Sequence, residues 1–270
     1  MAIASSSVPL GRGAFDLDVT TGSIVRARLA GRSPCRGLWI ADKIVIEAGS
    51  DPIEAHRAFA RALAAACAPS GGDVLVIETP ESGVWQSALL ETGFLPGPRK
   101  VFVERRLDDD LPPAPSHWRL RSLLEAGETA FVARMFEASE GDPFEERKGG
   151  KRDLDREWRD LVEGAGARFD PARWKLVDDE RGPVGVVLPH AVNAETGTLS
   201  YVGVVPSRRR VGLGSGLHAL GLRLLAAEGL RRYVGSTDVR NAAMRAVFAK
   251  NVAPVTGTEA YFRWSEHPPK

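Results

Sequence analysis

Cysteine is nearly missing from this chain of 270 residues. Cys35 and Cys67 are the only two, without metal-ligand spacing or a companion histidine cluster, so neither a disulfide framework nor a metal site is expected. Reduced thiols of this kind fit a cytoplasmic location. Also lacking is any run of about 18 apolar residues, and the start, MAIASSSVPLGRGAF, has no basic segment leading into a long apolar one. A membrane span and an export signal are therefore not expected. Charge excess is lacking too: 36 basic residues face 35 acidic ones, a formal net charge of +1. No global field draws the chain to nucleic acid or to an anionic membrane, and any anion must be recognised locally.

What is present is apolar material, 43% of residues, enough for one large or two ordinary cores. A seam at 108–116, DDDLPPAPS, joins a short acidic run to three prolines, which remove donors and favour extended backbone. Read as a linker, it separates a domain of about 1–110 from one of 116–270. In the first, strands are predicted at 43–49, 73–78 and 100–104. A helix runs from an Asp51-Pro52-Ile53-Glu54 start to Cys67, and another, 85–91, is stopped by Gly93. In the second, a strand at 118–124 precedes helices at 127–139 and 153–163. Strands at 174–179 and 184–191 flank a turn at 180–182, and a further strand, 198–205, leads into a glycine-rich stretch. Helix 212–228, strand 233–239, helix 241–250 and strand 259–264 follow. The order strand, helix, strand, helix, strand occurs in both halves, which suggests duplication of a mixed α/β (α+β) domain.

The glycine-rich stretch is VVPSRRRVGLGSGLHALGL, 204–222. Leu213, Leu217, Leu220 and Leu224 recur at helical spacing, so Gly212 and Gly214 fall at the helix entrance. First-turn amides lack intrahelical partners there, and the helix dipole adds partial positive charge, which together favour an anion. Glycine lets that backbone approach a ligand closely, and Arg208, Arg209 and Arg210 add charge beside it. A diphosphate is the expected guest.

Two patterns claim the stretch. Gly214-Ser-Gly216-Leu-His-Ala219, with Asp238 downstream, fits the dinucleotide fingerprint of nicotinamide-dependent oxidoreductases, but it follows antiparallel strands rather than opening a parallel series. Val204-x-Pro206-x-x-Arg209-x-x-Gly212-x-Gly214 resembles the cofactor loop of the GNAT superfamily of acyl-CoA-dependent N-acetyltransferases. Thr237-Asp-Val-Arg-Asn241-Ala-Ala-Met244-Arg-Ala-Val-Phe248-Ala-Lys250 is similar to that superfamily's next motif. The resemblance implies two GNAT-like domains, each a mixed, mostly antiparallel sheet flanked by helices, with the C-terminal one complete. It implies acetyl-CoA as cosubstrate, held by Val204, Val205, Arg209, Arg210, Val211, Gly212, Leu213, Gly214, Ser215, Asn241 and Phe248. It further implies acetyl transfer to a primary amine of a small polar acceptor by direct attack through a tetrahedral species. A backbone N–H near Val204 would serve the oxyanion.

The sequence departs from the pattern in two places. Phe248 stands where the superfamily commonly has a proton-donating Tyr, and Val252-Ala253 replaces its Gly-Phe. The first half keeps Thr92-Gly93-Phe94 but has no Arg-x-x-Gly-x-Gly between Ile46 and Asp51, so it resembles a degenerate, non-catalytic GNAT half. Candidates for moving protons are Asp238, at the end of the strand beside the loop, Tyr201, which could replace the missing acid, and Glu195 in a hairpin turn; His190 reads as structural. Ser200 and Tyr201 alternate, so one of them should face the cleft. The mixed-charge run 140–153 reads as a solvated loop or as a lid bordering the acceptor. Because of Phe248, a non-catalytic acyl-CoA sensor or scaffold is the alternative to an enzyme.

Overall fold

The computed structural model describes residues 2–5, 13–21, 24–35, 38–68, 71–80, 82–107, 110–144 and 154–264. The chain divides into two compact units, Met1–Val101 with Gly257–Lys270, and Phe102–Thr256.

The first unit contains β1 (Ala2–Ser5), β2 (Gly13–Thr21), β3 (Ile24–Cys35), β4 (Leu38–Ile46), α1 (Pro52–Cys67), β5 (Gly72–Ile77), α2 (Ser82–Glu91) and the first half of β6 (Leu95–Arg106). Antiparallel pairs join β1 to β2, β2 to β3 and β3 to β4, while β4 runs parallel to β5. In β2, Phe15, Leu17 and Val19 are buried and Asp16, Asp18 and Thr20 are not, the period of two that a half-buried strand requires. α1 begins as its sequence predicts, with the Asp51 side chain accepting from the Ile53 N–H at 2.9 Å and Pro52 in the first turn. Glu54 does not close a capping box; it pairs with Arg57 at 3.0 Å. The buried face of α1, including Phe59, Leu63 and Cys67, packs with Leu17, Leu29, Trp39 and Val74.

The second unit holds β7 (Arg119–Ser122), α3 (Leu123–Ala126), α4 (Glu128–Ser139), α5 (Leu154–Ala165), β8 (Lys175–Asp179), β9 (Gly182–Ala191), β10 (Thr196–Val204), a 3-10 turn at Pro206–Arg208, α6 (Leu213–Ala227), β11 (Arg232–Asp238) and α7 (Ala242–Lys250). The last strand, β12 (Val255–Trp264), leaves this unit at Thr256 and pairs antiparallel with β5, from Glu259 against Ile77 to Trp264 against Gly72. The sequence placed that strand in the 116–270 domain. Strand pairing across some 185 residues has no local sequence signature, so the units differ from the expected division at 102–115 and 257–270. The expected strand 118–124 is also shorter, because Ser122 and Glu125 form a reciprocal capping box that starts α3.

Strands β7, β8, β9 and β10 are successively antiparallel. β9 lies at the centre and is buried on both faces from Val184 to Pro189, which is why its sequence is a continuous apolar run. Val186 and Leu188 pack with Phe131 and Phe136 of α4, while Val187 packs with Leu217 of α6, so the two helices cover opposite faces. A register shift between Leu199 and Tyr201 inserts Ser200 as an extra residue. Residues two apart would share a face, but the bulge sends Leu199 toward the α6 side and Tyr201 toward the α4 side. Ser200 is exposed. Among the described residues no helix is long and apolar enough to cross a membrane.

Candidate active site

The site begins with two strands that part. β10 and β11 run parallel but pair only at Thr196 with Arg232 and Gly197 with Tyr233. Beyond that point no pairing joins them, and a cleft of about 750 Å³ lies at the end of β10, lined by Tyr201 to Val204, Arg208 to Arg210, Gly212 to Ser215, Asn241 to Met244 and residues 141–144. On its other edge β10 stays paired to β9, and the Val205 N–H donates to Val184 O at 3.1 Å. Antiparallel alternation then aims the N–H groups of Val202 and Val204 away from β9, into the opening.

The α6 N-terminus closes one end of the cleft. Gly212 caps the helix at φ 87° and offers no side-chain hydrogen bond; the Ser215 N–H turns back to Gly212 O at 3.2 Å, and no side chain among the described residues caps the first turn. A Cβ on Gly214 would stand 3.6 Å from Val247 and 3.8 Å from Val204, in the floor of the cleft. Arg210, with φ 65°, is a non-glycine residue in the left-handed region. On the opposite flank, Asn241 caps α7 by accepting from the Met244 N–H at 3.0 Å. Asn241→Ala is expected to lower stability by about 1 kcal/mol while Asn241→Asp keeps it, as read from urea unfolding.

The three arginines divide their work. Arg208 pairs with the buried Asp179 at 2.6 Å, and that guanidinium pushes the Asp179 carboxyl down to about 2, against the opposing effect of burial. Arg209 donates to Val204 O and Ala138 O, both at 3.0 Å. Arg210 is exposed at the cleft edge.

Of the residues expected to hold a cofactor, Val204, Arg209, Arg210, Gly212, Leu213, Gly214, Ser215 and Asn241 come together on the cleft. Val205 is buried, Val211 is exposed beside a second hollow that includes His117 and Asp179, and Phe248 is sealed in a core with its ring 5.5 Å from His218. Of the proton-transfer candidates, Tyr201 lines the cleft and donates to Ala138 O at 3.1 Å. Asp238 stands at the end of β11 with both carboxylate oxygens on Arg240, at 2.9 Å each. Glu195 lies in the exposed β9–β10 turn, at the far end of β10 from Val204, roughly 30 Å away at about 3.3 Å per residue. His190 is half-buried, and burial lowers its pKa, with Arg173 and Arg168 adding to the effect.

Residues 141–144, the described start of the mixed-charge run, form a wall of the cleft; 145–153 lie outside the described residues. Asp142 is the one carboxylate among the described lining residues and accepts from the Phe144 N–H at 2.9 Å. The Phe144 ring carries Arg240 5.7 Å from its centre. Sequence reasoning had the run but not these residues, since a single Asp in a charged loop carries no distinguishing pattern.

Residues 132–252 match the family model described as "Acetyltransferase (GNAT) family". No curated protein matches the chain in sequence. Among solved structures, a GCN5-related N-acetyltransferase from Sphaerobacter thermophilus is similar over 97% of this chain and 84% of its own, at 16% identity and a TM-score of 0.63. One from Kribbella flavida is similar over 95% and 91%, at 14% identity and 0.54. A tandem GNAT protein from the clavulanic acid biosynthesis pathway is similar over 97% and 86%, at 15% identity and 0.53. These likenesses show the fold: two GNAT-like domains, each a mostly antiparallel sheet with flanking helices.

Proposed function

We propose that this protein transfers an acetyl group from acetyl-CoA to a primary amine of a small polar acceptor, at one site in the second unit. The observation that carries the reading is the α6 entrance, where a left-handed glycine leaves the first turn without a side-chain cap, facing the cleft at the end of β10. The amides of Leu213 and Gly214 suit a diphosphate, and Gly214 leaves the floor of the cleft open to it. Acetyl-CoA, when bound, supplies an acyl carbon already activated for attack. The Val204 N–H, fixed by the β9 pairing of its strand, is a donor in place for the carbonyl oxygen as it gains charge. Most amines are protonated near neutral pH, and the Asp142 carboxylate suits the approach of an ammonium and the acceptance of its proton. The Asp238 carboxylate, engaged by Arg240, suits instead the fixing of the turn into α7.

Titration calorimetry with acetyl-CoA, NAD and NADPH tests the reading. One acetyl-CoA site per chain with no heat from the nicotinamides is expected; absence of acetyl-CoA binding would overturn it. Thiol release over an amine panel then separates enzyme from sensor, because a sensor binds without turnover. With an amine that the protein acetylates, Asp142→Asn is expected to raise KM for the amine roughly tenfold, the worth of a charge-assisted hydrogen bond.

A further inference from the structure

Arg209 occupies the motif position from which a cation would reach a bound diphosphate, yet its guanidinium is turned to two carbonyls. Ala138 is the penultimate residue of α4, and the amides that follow turn elsewhere, Glu140 N–H to Glu137 O and Asp142 N–H to Ser139 O. The Ala138 carbonyl instead accepts from Arg209 Nη2 at 3.0 Å and from Tyr201 Oη at 3.1 Å. Arg209 Nε holds Val204 O at the same time. Among the described residues no carboxylate pairs with Arg209. The Tyr201 ring reaches this point by lying along its own strand over Gly203, where a Cβ would stand 2.5 Å from the ring and 2.8 Å from the hydroxyl. A planar fork suits this bridge from strand end to helix end, and the partial negative charge at the α4 C-terminus favours a cation there.

We infer that Arg209 is a positioning residue that clamps, with Tyr201, the end of α4 to the β10 edge of the cleft. The clamp sets the wall at 141–144, and through it the place where an acceptor stands; this last step rests on the acyl-CoA reading. A phosphate ligand and a clamp differ in what lysine can replace. Lysine keeps the charge but cannot hold two carbonyls with one rigid fork.

The test compares Arg209→Ala, Arg209→Lys and Tyr201→Phe by hydrogen exchange of amides 139–144 in the ligand-free protein, and by calorimetry with coenzyme A. Exchange is expected to rise about tenfold in both Arg209 variants and severalfold in Tyr201→Phe, with coenzyme A affinity within threefold of wild type in Arg209→Lys and Tyr201→Phe. On an acetylated amine, Arg209→Lys should raise KM for the amine at least fivefold and leave KM for acetyl-CoA within twofold. Unchanged exchange overturns the clamp. So does a large loss of coenzyme A affinity in Arg209→Ala that Arg209→Lys restores, because that pattern belongs to a phosphate ligand. If the wild type does not bind coenzyme A, the acyl-CoA reading falls, while the exchange measurements still decide whether the clamp exists.

Discussion

Gly212→Asp should bind acetyl-CoA at least about 100-fold more weakly than the wild type while remaining folded. The open space around Gly212 admits the side chain, since a Cβ there meets nothing within 4 Å. The backbone at φ 87° is costly for most residues, but Asp tolerates the left-handed region and is a good helix cap. These two effects, each on the order of 1 kcal/mol, oppose one another, so the melting temperature should move by no more than about 4 °C. For the ligand they act together. The new carboxylate takes the first-turn amides for itself, and it places like charge against a diphosphate, worth about 4 kcal/mol at 4 Å in a surface-like dielectric before screening.

Gly212→Asn separates those contributions, because it has the same shape and capping capacity without the charge. Its expected loss is about tenfold, and the gap between the Asp and Asn variants should shrink in 0.5 M salt, where the screening length falls to a few ångströms. Calorimetry at two salt concentrations reads all of this. Equal affinities for wild type and Gly212→Asp would move the diphosphate away from the α6 entrance.

The α6 entrance was legible because its determinants are local. Leucines at helical spacing, glycines before them and a preceding strand are consecutive in sequence, and so is the Asn241 cap of α7. The alternation of Phe15, Leu17 and Val19 was equally present in the sequence, yet β1 to β3 went unread beside the stronger signals downstream. Other features are not local at all. Nothing near residue 209 says that its guanidinium will meet a carbonyl 71 positions earlier, and nothing near Phe248 says that its ring will face His218 rather than a cofactor. The bulge at Ser200 belongs to this second kind. It turns Tyr201 to the α4 side by a one-residue slip that strand periodicity by itself cannot reveal.

His218 should make the protein acid-labile over a window set by its own burial. It lies fully buried in α6, with Nε2 3.1 Å from the Tyr233 hydroxyl and Nδ1 3.0 Å from Asn251 Nδ2. Asn251 also donates to Ser215 O at 3.0 Å, in the first turn of α6, and its own carbonyl accepts from the buried Arg105 at 2.7 Å. Burial, with the Arg105 charge adding to it, pushes the His218 pKa down to about 4 from 6.5. Between those values the unfolded chain binds the proton and the folded one does not. Stability from this group is therefore complete above pH 6.5 and lost as pH falls toward 4, by about 3 kcal/mol in total. His218→Gln removes the titration while keeping a polar group in the network. Urea unfolding from pH 7 to pH 4.5 should show a steeper loss of stability for wild type than for His218→Gln, and parallel curves would contradict the assignment. Asp179 titrates below this window, and carboxylates that burial pushes up, such as Glu228 and Glu259, are common to both proteins, so they do not produce the difference. Because the network ends on the Ser215 carbonyl, the same protonation loosens the turn that faces the cleft. Acetyl-CoA affinity is therefore expected to fall over the same pH interval in wild type and to change less in His218→Gln.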